Sequence, residues 1–163
     1  PKGAQRGQSQ YGKQLRENQK VKRMYVIMEA QFRRYVEEAF RFKGNTGETL
    51  LSALERRLDN VIYRLGFTPT RLSARQVVSH RHVLVNVKKL NIPSYETKIG
   101  DVIAISTKAG EIPEVKKAMG VADLIIPSWL ERKGGAGKIV RAPARTDIPE
   151  PISEQDIVEF YSR

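Results

Sequence analysis

Cysteine is absent from all 163 residues, so the chain can build neither a disulfide framework nor a thiolate metal site. That fits a reducing compartment. Histidine is scarce: His80 and His82 are the only two, set two positions apart with no cluster of acids beside them, a poor basis for a metal centre. No apolar run approaches the roughly 18–20 residues that cross a bilayer, and no signal-peptide pattern opens the chain. The first residue is Pro1 and not a methionine, so a segment removed ahead of it is expected. A nucleophile elbow, a dinucleotide fingerprint and paired carboxylates are all missing, and with them any local support for catalysis or for a bound cofactor. "GGAG" at 134–137 lacks the spacing of a phosphate-binding loop and reads as a flexible loop.

Acid is the other scarcity. Eighteen Asp and Glu against 29 Lys and Arg leave a net charge of +11 and a pI near 10. The excess is concentrated: residues 1–43 hold eleven bases to four acids and residues 56–98 nine to two, while the rest is close to balanced. "RLSARQVVSHRHVLVNVKKLN" (71–91) carries Arg71, Arg75, Arg81, Lys88 and Lys89 with no acid at all. Solvated faces ordinarily mix signs, so a one-signed folded segment points to a polyanionic partner, nucleic acid or an anionic membrane surface.

With 40% hydrophobic residues the chain can bury a core. Residues 1–10 are Gly- and Gln-rich and read as an extended arm. From Tyr11 to Phe40 the apolar residues Val21, Met24, Tyr25, Met28, Phe32, Tyr35, Val36, Ala39 and Phe40 recur every three or four positions. This predicts an amphipathic helix with its aromatic and methionine side chains in the core and Gly44 as its stop. Leu50, Leu51, Leu54, Leu58, Val61, Ile62 and Leu65 keep the same period up to Gly66 and predict a second helix. A third runs from an N-cap at Thr70 to about His80, with Ala74, Val77 and Val78 buried and Arg71 and Arg75 side by side. The period then switches to two at Val83 and Val85, at a return strand over 88–92, and at Ile103 and Ile105. Three short strands after two helices predict an α+β unit with helices on one side of an antiparallel sheet. A short helix is expected over 114–119, stopped by Gly120. A linker over 141–153 leads to a last helix, opened by a capping box of Ser153 and Asp156. Asp59, the acid in the basic middle, is expected to pair with Arg56 or Arg57 or to accept hydrogen bonds.

Residues 57–106, from "RLDNVIYRLGFTPTRLSARQ" to "GDVIAIS", resemble the compact RNA-binding module named after the fourth protein of the small ribosomal subunit. Its pattern is an R-L-D helix, a Gly stop, a T-R-x-x-A-R-Q helix and a V-N-G hairpin. The stretch from "YGKQLRENQK" to "TLLSALE" and the terminal "RTDIPEPISEQDIVEFYSR" are similar to the flanking parts of bacterial-type members. The chain is thereby identified as a member of that family, lacking the first stretch of its N-terminus. In some members that stretch carries a cysteine zinc site. Two departures stand out. Val87 replaces the hairpin glycine, which argues against a two-residue turn at Asn86-Val87. Arg81 stands where many members have Gly.

The resemblance implies a mostly helical first domain (1–56, completed by 146–163), a module over 57–145, and a C-terminal helix returning to the first domain. It implies a structural role in the small ribosomal subunit and binding of small-subunit ribosomal RNA at a multi-helix junction early in assembly. It also implies contact with the fifth small-subunit protein, proximity to incoming messenger RNA, a contribution to accuracy, and in some members repression of their own message. The localisation implied is ribosome-bound in the cytoplasm or an organelle, without membrane attachment. RNA junctions crowd phosphates, and side chains fixed on helices can match that pattern. The candidate contacts are Lys20, Lys22, Arg23, Arg33 and Arg34 in the first domain and Arg57, Arg71, Ser73, Arg75, Gln76, His80, Arg81, His82, Lys88 and Lys89 in the module. Two rival classes share features with it. One is an RNA-modifying enzyme or tRNA synthetase carrying the module; the other is a free RNA-binding or membrane-surface protein.

Overall fold

The computed structural model describes residues 9–162, so most of the expected arm lies outside the described residues. The described chain divides into two compact units, one running up to Leu50 and resuming at Glu150, the other spanning Leu51–Pro149.

The first unit is helical. Where one helix is expected over 11–40 there are two, α1 (Gln10–Tyr25) and α2 (Glu29–Arg41). Ser9 caps α1, its Oγ accepting the Gly12 N–H at 3.1 Å. The break is a left-handed residue, Val26 (φ 58°), and the Ile27 N–H donates to the Lys22 carbonyl at 3.0 Å. This closure satisfies the free carbonyls of the last turn and lets Tyr25 and Ile27 both be buried. Continuous periodicity hides such a break, because both faces stay in phase across it. Two of the expected core residues, Met28 and Phe40, are instead exposed at 76% and 42%. The last helix, α8 (Glu154–Tyr161), packs along α1. Ile157 is buried, Phe160 meets Tyr11 with ring centroids 5.8 Å apart, and Tyr161 meets Phe32 at 5.9 Å. The Tyr161 hydroxyl donates to Glu29 at 2.9 Å; burial, then this carboxylate, pushes its pKa up. Ser153 makes no side-chain cap, contrary to the expected capping box. Its backbone N–H donates to Glu17 Oε1 at 2.7 Å instead, which anchors the entry to α8.

A helix α3 (Thr46–Glu55) begins in the first unit and ends in the second. The second unit then continues with α4 (Leu58–Arg64) and α5 (Arg71–Ser79). The single helix expected over 50–65 is thus split at Arg57, whose ψ of 139° is not helical. Competing acceptors explain the split: the Leu58 N–H donates to the Tyr95 carbonyl at 2.9 Å and the Asp59 N–H to the Pro93 carbonyl at 3.1 Å. Asn60 covers the end of α3 by donating to the Glu55 carbonyl at 2.7 Å.

The sheet has five antiparallel strands where three are expected: β1 (Val83–Val85), β2 (Lys88–Lys89), β3 (Val102–Ile105), β4 (Leu130–Lys133) and β5 (Ala136–Ile139), in the order β2-β1-β3-β5-β4. Two more helices, α6 (Thr107–Gly110) and α7 (Pro113–Met119, ending at Gly120), lie between β3 and β4. The return strand over 88–92 shrinks to two residues. The "GGAG" loop proves to be the turn of the second hairpin and the start of β5. Gly137 sits within that strand because a Cβ there would lie 2.6 Å from the Leu65 methyls, so only glycine lets sheet and helix close up. One sheet face (Val83, Val85, Ile103, Ile139) meets α4 and α5 (Leu58, Val61, Ile62, Leu65, Ala74, Val78) around the buried Trp129. Each fully buried Val, Leu or Ile side chain there contributes about 1.5–3 kcal/mol. The α+β architecture expected from the sequence is the one observed.

The Asn86-Val87 turn is a two-residue turn after all. Val85 pairs with Lys88, and Asn86 (φ 50°) and Val87 (φ 72°) are both left-handed. Asn86 holds it: its Oδ1 accepts the Val102 N–H at 2.9 Å and its Nδ2 donates to Asp101 at 3.0 Å. This anchoring, together with free space around the 89%-exposed Val87, overrides the preference of a β-branched residue.

Candidate nucleic-acid interface

The basic residues of the second unit fall into two groups. Arg57 and Arg64 are buried and committed. Arg57 grips Asp59 with two hydrogen bonds, Nε at 3.1 Å and Nη2 at 3.0 Å. Arg64 grips Glu55 in the same way, at 3.1 and 2.7 Å. Their side chains are 1% and 6% exposed. Arg57 therefore leaves the set of candidate RNA contacts, because no phosphate reaches a guanidinium enclosed with its own carboxylate. Asp59 has the structural role expected of it. Arg56 pairs with Glu96.

The second group sits on α5 and the turns that follow. Thr70 caps the helix, its Oγ1 accepting the Ser73 N–H at 3.0 Å. Ser73 is buried, and its hydroxyl donates to Glu114 at 2.7 Å. It too is committed within the fold, where it joins α5 to α7. Arg71 is held in place: Nε donates to Asn60 Oδ1 at 2.9 Å and the guanidinium lies 4.4 Å from the Tyr63 ring centroid. Asn60 is in turn fixed by Glu55, which accepts from it through both backbone and side chain at 2.7 and 2.9 Å. Arg71 is thus pre-oriented, and little rotamer entropy remains to be given up when it meets an anion. Arg75 is half-buried one turn on, and Gln76 is exposed beside it.

The corner after α5 is tight. Arg81 is left-handed (φ 63°) and exposed, and the His82 N–H donates to the Val77 carbonyl at 3.1 Å. His80 and His82 flank it with their rings 6.5 Å apart, edge to face. Lys88 and Lys89 are exposed just past the Asn86-Val87 turn. Behind that turn Asp101 accepts from Asn86, from the Lys98 N–H at 2.9 Å and from the Tyr95 hydroxyl at 3.0 Å. Burial opposes its charge, but these bonds outweigh it and hold its pKa below the ordinary carboxylate value.

In the first unit the candidates are less uniform. Lys22 is half-buried and bonds Glu29 at 2.6 Å, Lys20 pairs with Glu17 at 3.1 Å, and Arg33 lies 3.6 Å from Glu29. Arg23 and Arg34 are exposed, with no ion pair among the described residues. Sequence reasoning passed over Lys133 and Lys138, exposed on the same sheet face as Lys89. Reading L-E-R-K and A-G-K-I as two strands would have exposed them. Among the described residues no three His, Cys, Asp or Glu stand together as a metal site, and no helix is long and apolar enough to cross a membrane.

A sheet backed by two helices, with pre-oriented and exposed cations gathered along one helix and its two following turns, is the build of an RNA-binding module. A family model described as "Ribosomal protein S4/S9 N-terminal domain" matches residues 2–55, and one described as "S4 domain" matches residues 56–103. Small ribosomal subunit protein uS4 of Natranaerobius thermophilus is 50% identical over 159 residues, covering 96% of this chain and 76% of that protein. The uS4 protein of Marinobacter nauticus is 52% identical over 165 residues, with 99% and 80% covered. Protein uS4A of Symbiobacterium thermophilum is 48% identical over 162 residues, with 98% and 78% covered. The chain belongs to the uS4 family, a family of structural ribosomal proteins and not of enzymes.

Proposed function

We propose that this chain is a structural protein of the small ribosomal subunit, binding small-subunit ribosomal RNA at a multi-helix junction early in assembly, on cytoplasmic or organellar ribosomes. The supporting observation is the cation group from Arg71 to Lys89, carried on a capped helix and two hydrogen-bonded turns with no acid within that segment. Such charges neutralise phosphates and release condensed counterions, and fixing them on a scaffold makes the array selective for one RNA shape. Arg75, Gln76, His80, Arg81, His82, Lys88 and Lys89, with the pre-set Arg71, are the module's proposed contacts. Lys20, Lys22, Arg23, Arg33 and Arg34 are those of the first unit, Arg23 and Arg34 foremost. Contact with the fifth small-subunit protein, a place beside incoming messenger RNA, a contribution to accuracy and repression of its own message rest on family membership alone.

Binding of the Arg71→Glu/Arg75→Glu variant to the isolated junction RNA tests the reading. Affinity should fall, and the slope of log affinity against log salt should flatten by roughly 0.7–0.9 for each phosphate that is no longer neutralised. An unchanged slope would show that these side chains touch no phosphate. Footprinting of small-subunit RNA with and without the chain would locate the junction, and co-sedimentation with small subunits separates a ribosomal component from a free binder.

A further inference from the structure

The period over 11–40 assigns Phe40 to the core, yet its side chain is 42% exposed, and Phe42, two residues on, is 65% exposed. Phe40 lies in the last turn of α2, and Phe42 follows as its extended C-cap residue (ψ 141°). Neither ring stacks on another among the described residues. Arg41 and Lys43 alternate with them, both exposed and neither in an ion pair among the described residues. Glu37 and Glu38 lie one turn back, but with Arg33 and Arg34 the stretch 33–43 still carries four cations against two carboxylates. Gly44 (φ 116°) follows the rings, and a Cβ there would meet nothing within 4 Å.

Two exposed phenyl rings within three residues offer a local apolar surface to a partner. The alternation of rings with cations calls for a partner that offers flat apolar faces and negative charge at the same spacing. An unpaired nucleotide matches both: its base stacks on a phenyl face while the guanidinium and ammonium meet the flanking phosphates. We propose that Phe40, Arg41, Phe42 and Lys43 form an RNA contact of a different kind from α5, one that stacks unpaired bases. The proposal rests on the RNA-binding reading above and deepens it. A duplex keeps its base faces stacked inside, so this site should distinguish single strands from paired ones.

The test uses the full chain and an oligoadenylate of roughly a dozen nucleotides with a central 2-aminopurine, alone and annealed to oligouridylate. Phe40→Ala/Phe42→Ala should weaken single-strand binding on the order of 5- to 150-fold per stacked base and leave duplex binding unchanged. Phe42→Leu, a surface change that keeps an apolar group but removes the ring, should weaken the single strand in the same direction. Phe42→Trp should keep the affinity, and its emission should be quenched by the single strand; the chain's own Trp129 is buried. Unchanged single-strand affinity in the double alanine variant overturns the proposal, as does equal weakening of both RNA forms. If the wild-type chain bound neither the oligonucleotide nor small-subunit RNA, the RNA-binding reading would fall with it. Normal wild-type binding with no weakening in the variants defeats the stacking site alone.

Discussion

Arg57 and Arg64, around α4, and Arg75 and Arg81, on and just after α5, belong to the same basic stretch of sequence, and the fold buries the two pairs to different extents. The first two are enclosed with Asp59 and Glu55; of the second two, Arg75 is half-buried and Arg81 exposed. The difference lies in their neighbours. Residues 55–64 contain two acids placed where α3 ends and α4 begins, and each binds an arginine as a fork. Residues 71–91 contain none. Charge density alone does not separate an enclosed arginine from an accessible one. An acid within reach of the same buried junction does.

The largest effect expected is on stability. Asp59→Ala leaves the Arg57 guanidinium buried without its carboxylate and should destabilise the chain by about 3–5 kcal/mol, read as a lower denaturant midpoint. The salt slope of RNA binding by the folded protein should stay the same, and a change in slope would put the two groups of arginines on one surface. Arg81→Gly should move the two properties apart. It relieves a left-handed residue and stabilises by roughly 0.5–1 kcal/mol, while flattening the salt slope by about 0.7–0.9 if Arg81 meets a phosphate. Val87→Gly carries the same relief, roughly 0.5–1 kcal/mol, without removing a cation, so its RNA affinity should match the wild type. The smallest effect is that of acid. The folded pKa of Asp101 is depressed, so its contribution is fully present above the unfolded value of about 4 and is lost as pH falls through the folded value. Asp101→Asn should be less stable at neutral pH and lose less on acidification, measured by thermal melting at stepped pH.

The sequence carried most of the plan and concealed its joints. Capping at Thr70 and the buried positions Ala74, Val77 and Val78 were legible because each follows from local chemistry or from a period. The breaks at Val26 and Arg57 were not. At Val26 the periodicity runs through undisturbed, and at Arg57 the cause is the distant segment 93–97, which takes the backbone donors. The second hairpin was hidden because its strands are short and its glycines imitate a loop; Gly137 is there for a contact with Leu65, many residues away in sequence. Among the site residues, Ser73 looked like a ligand contact because the Glu114 pairing that claims it depends on how the chain folds back, whereas the Asp59 partner of Arg57 stands two residues away and was legible; only the burial of that pair was not.

The line from Glu55 through Asn60 to Arg71 has a genetic corollary. A carboxamide that never meets solvent sets the aim of a cation on another helix, so altering either of two interior positions would misdirect a side chain that remains chemically intact. Selection for defective RNA attachment would then recover lesions well beneath the contact surface. An Asn60→Ser chain keeps the Glu55–Arg64 pair and the same positive residues, and on the proposed contact at Arg71 it should grip less firmly.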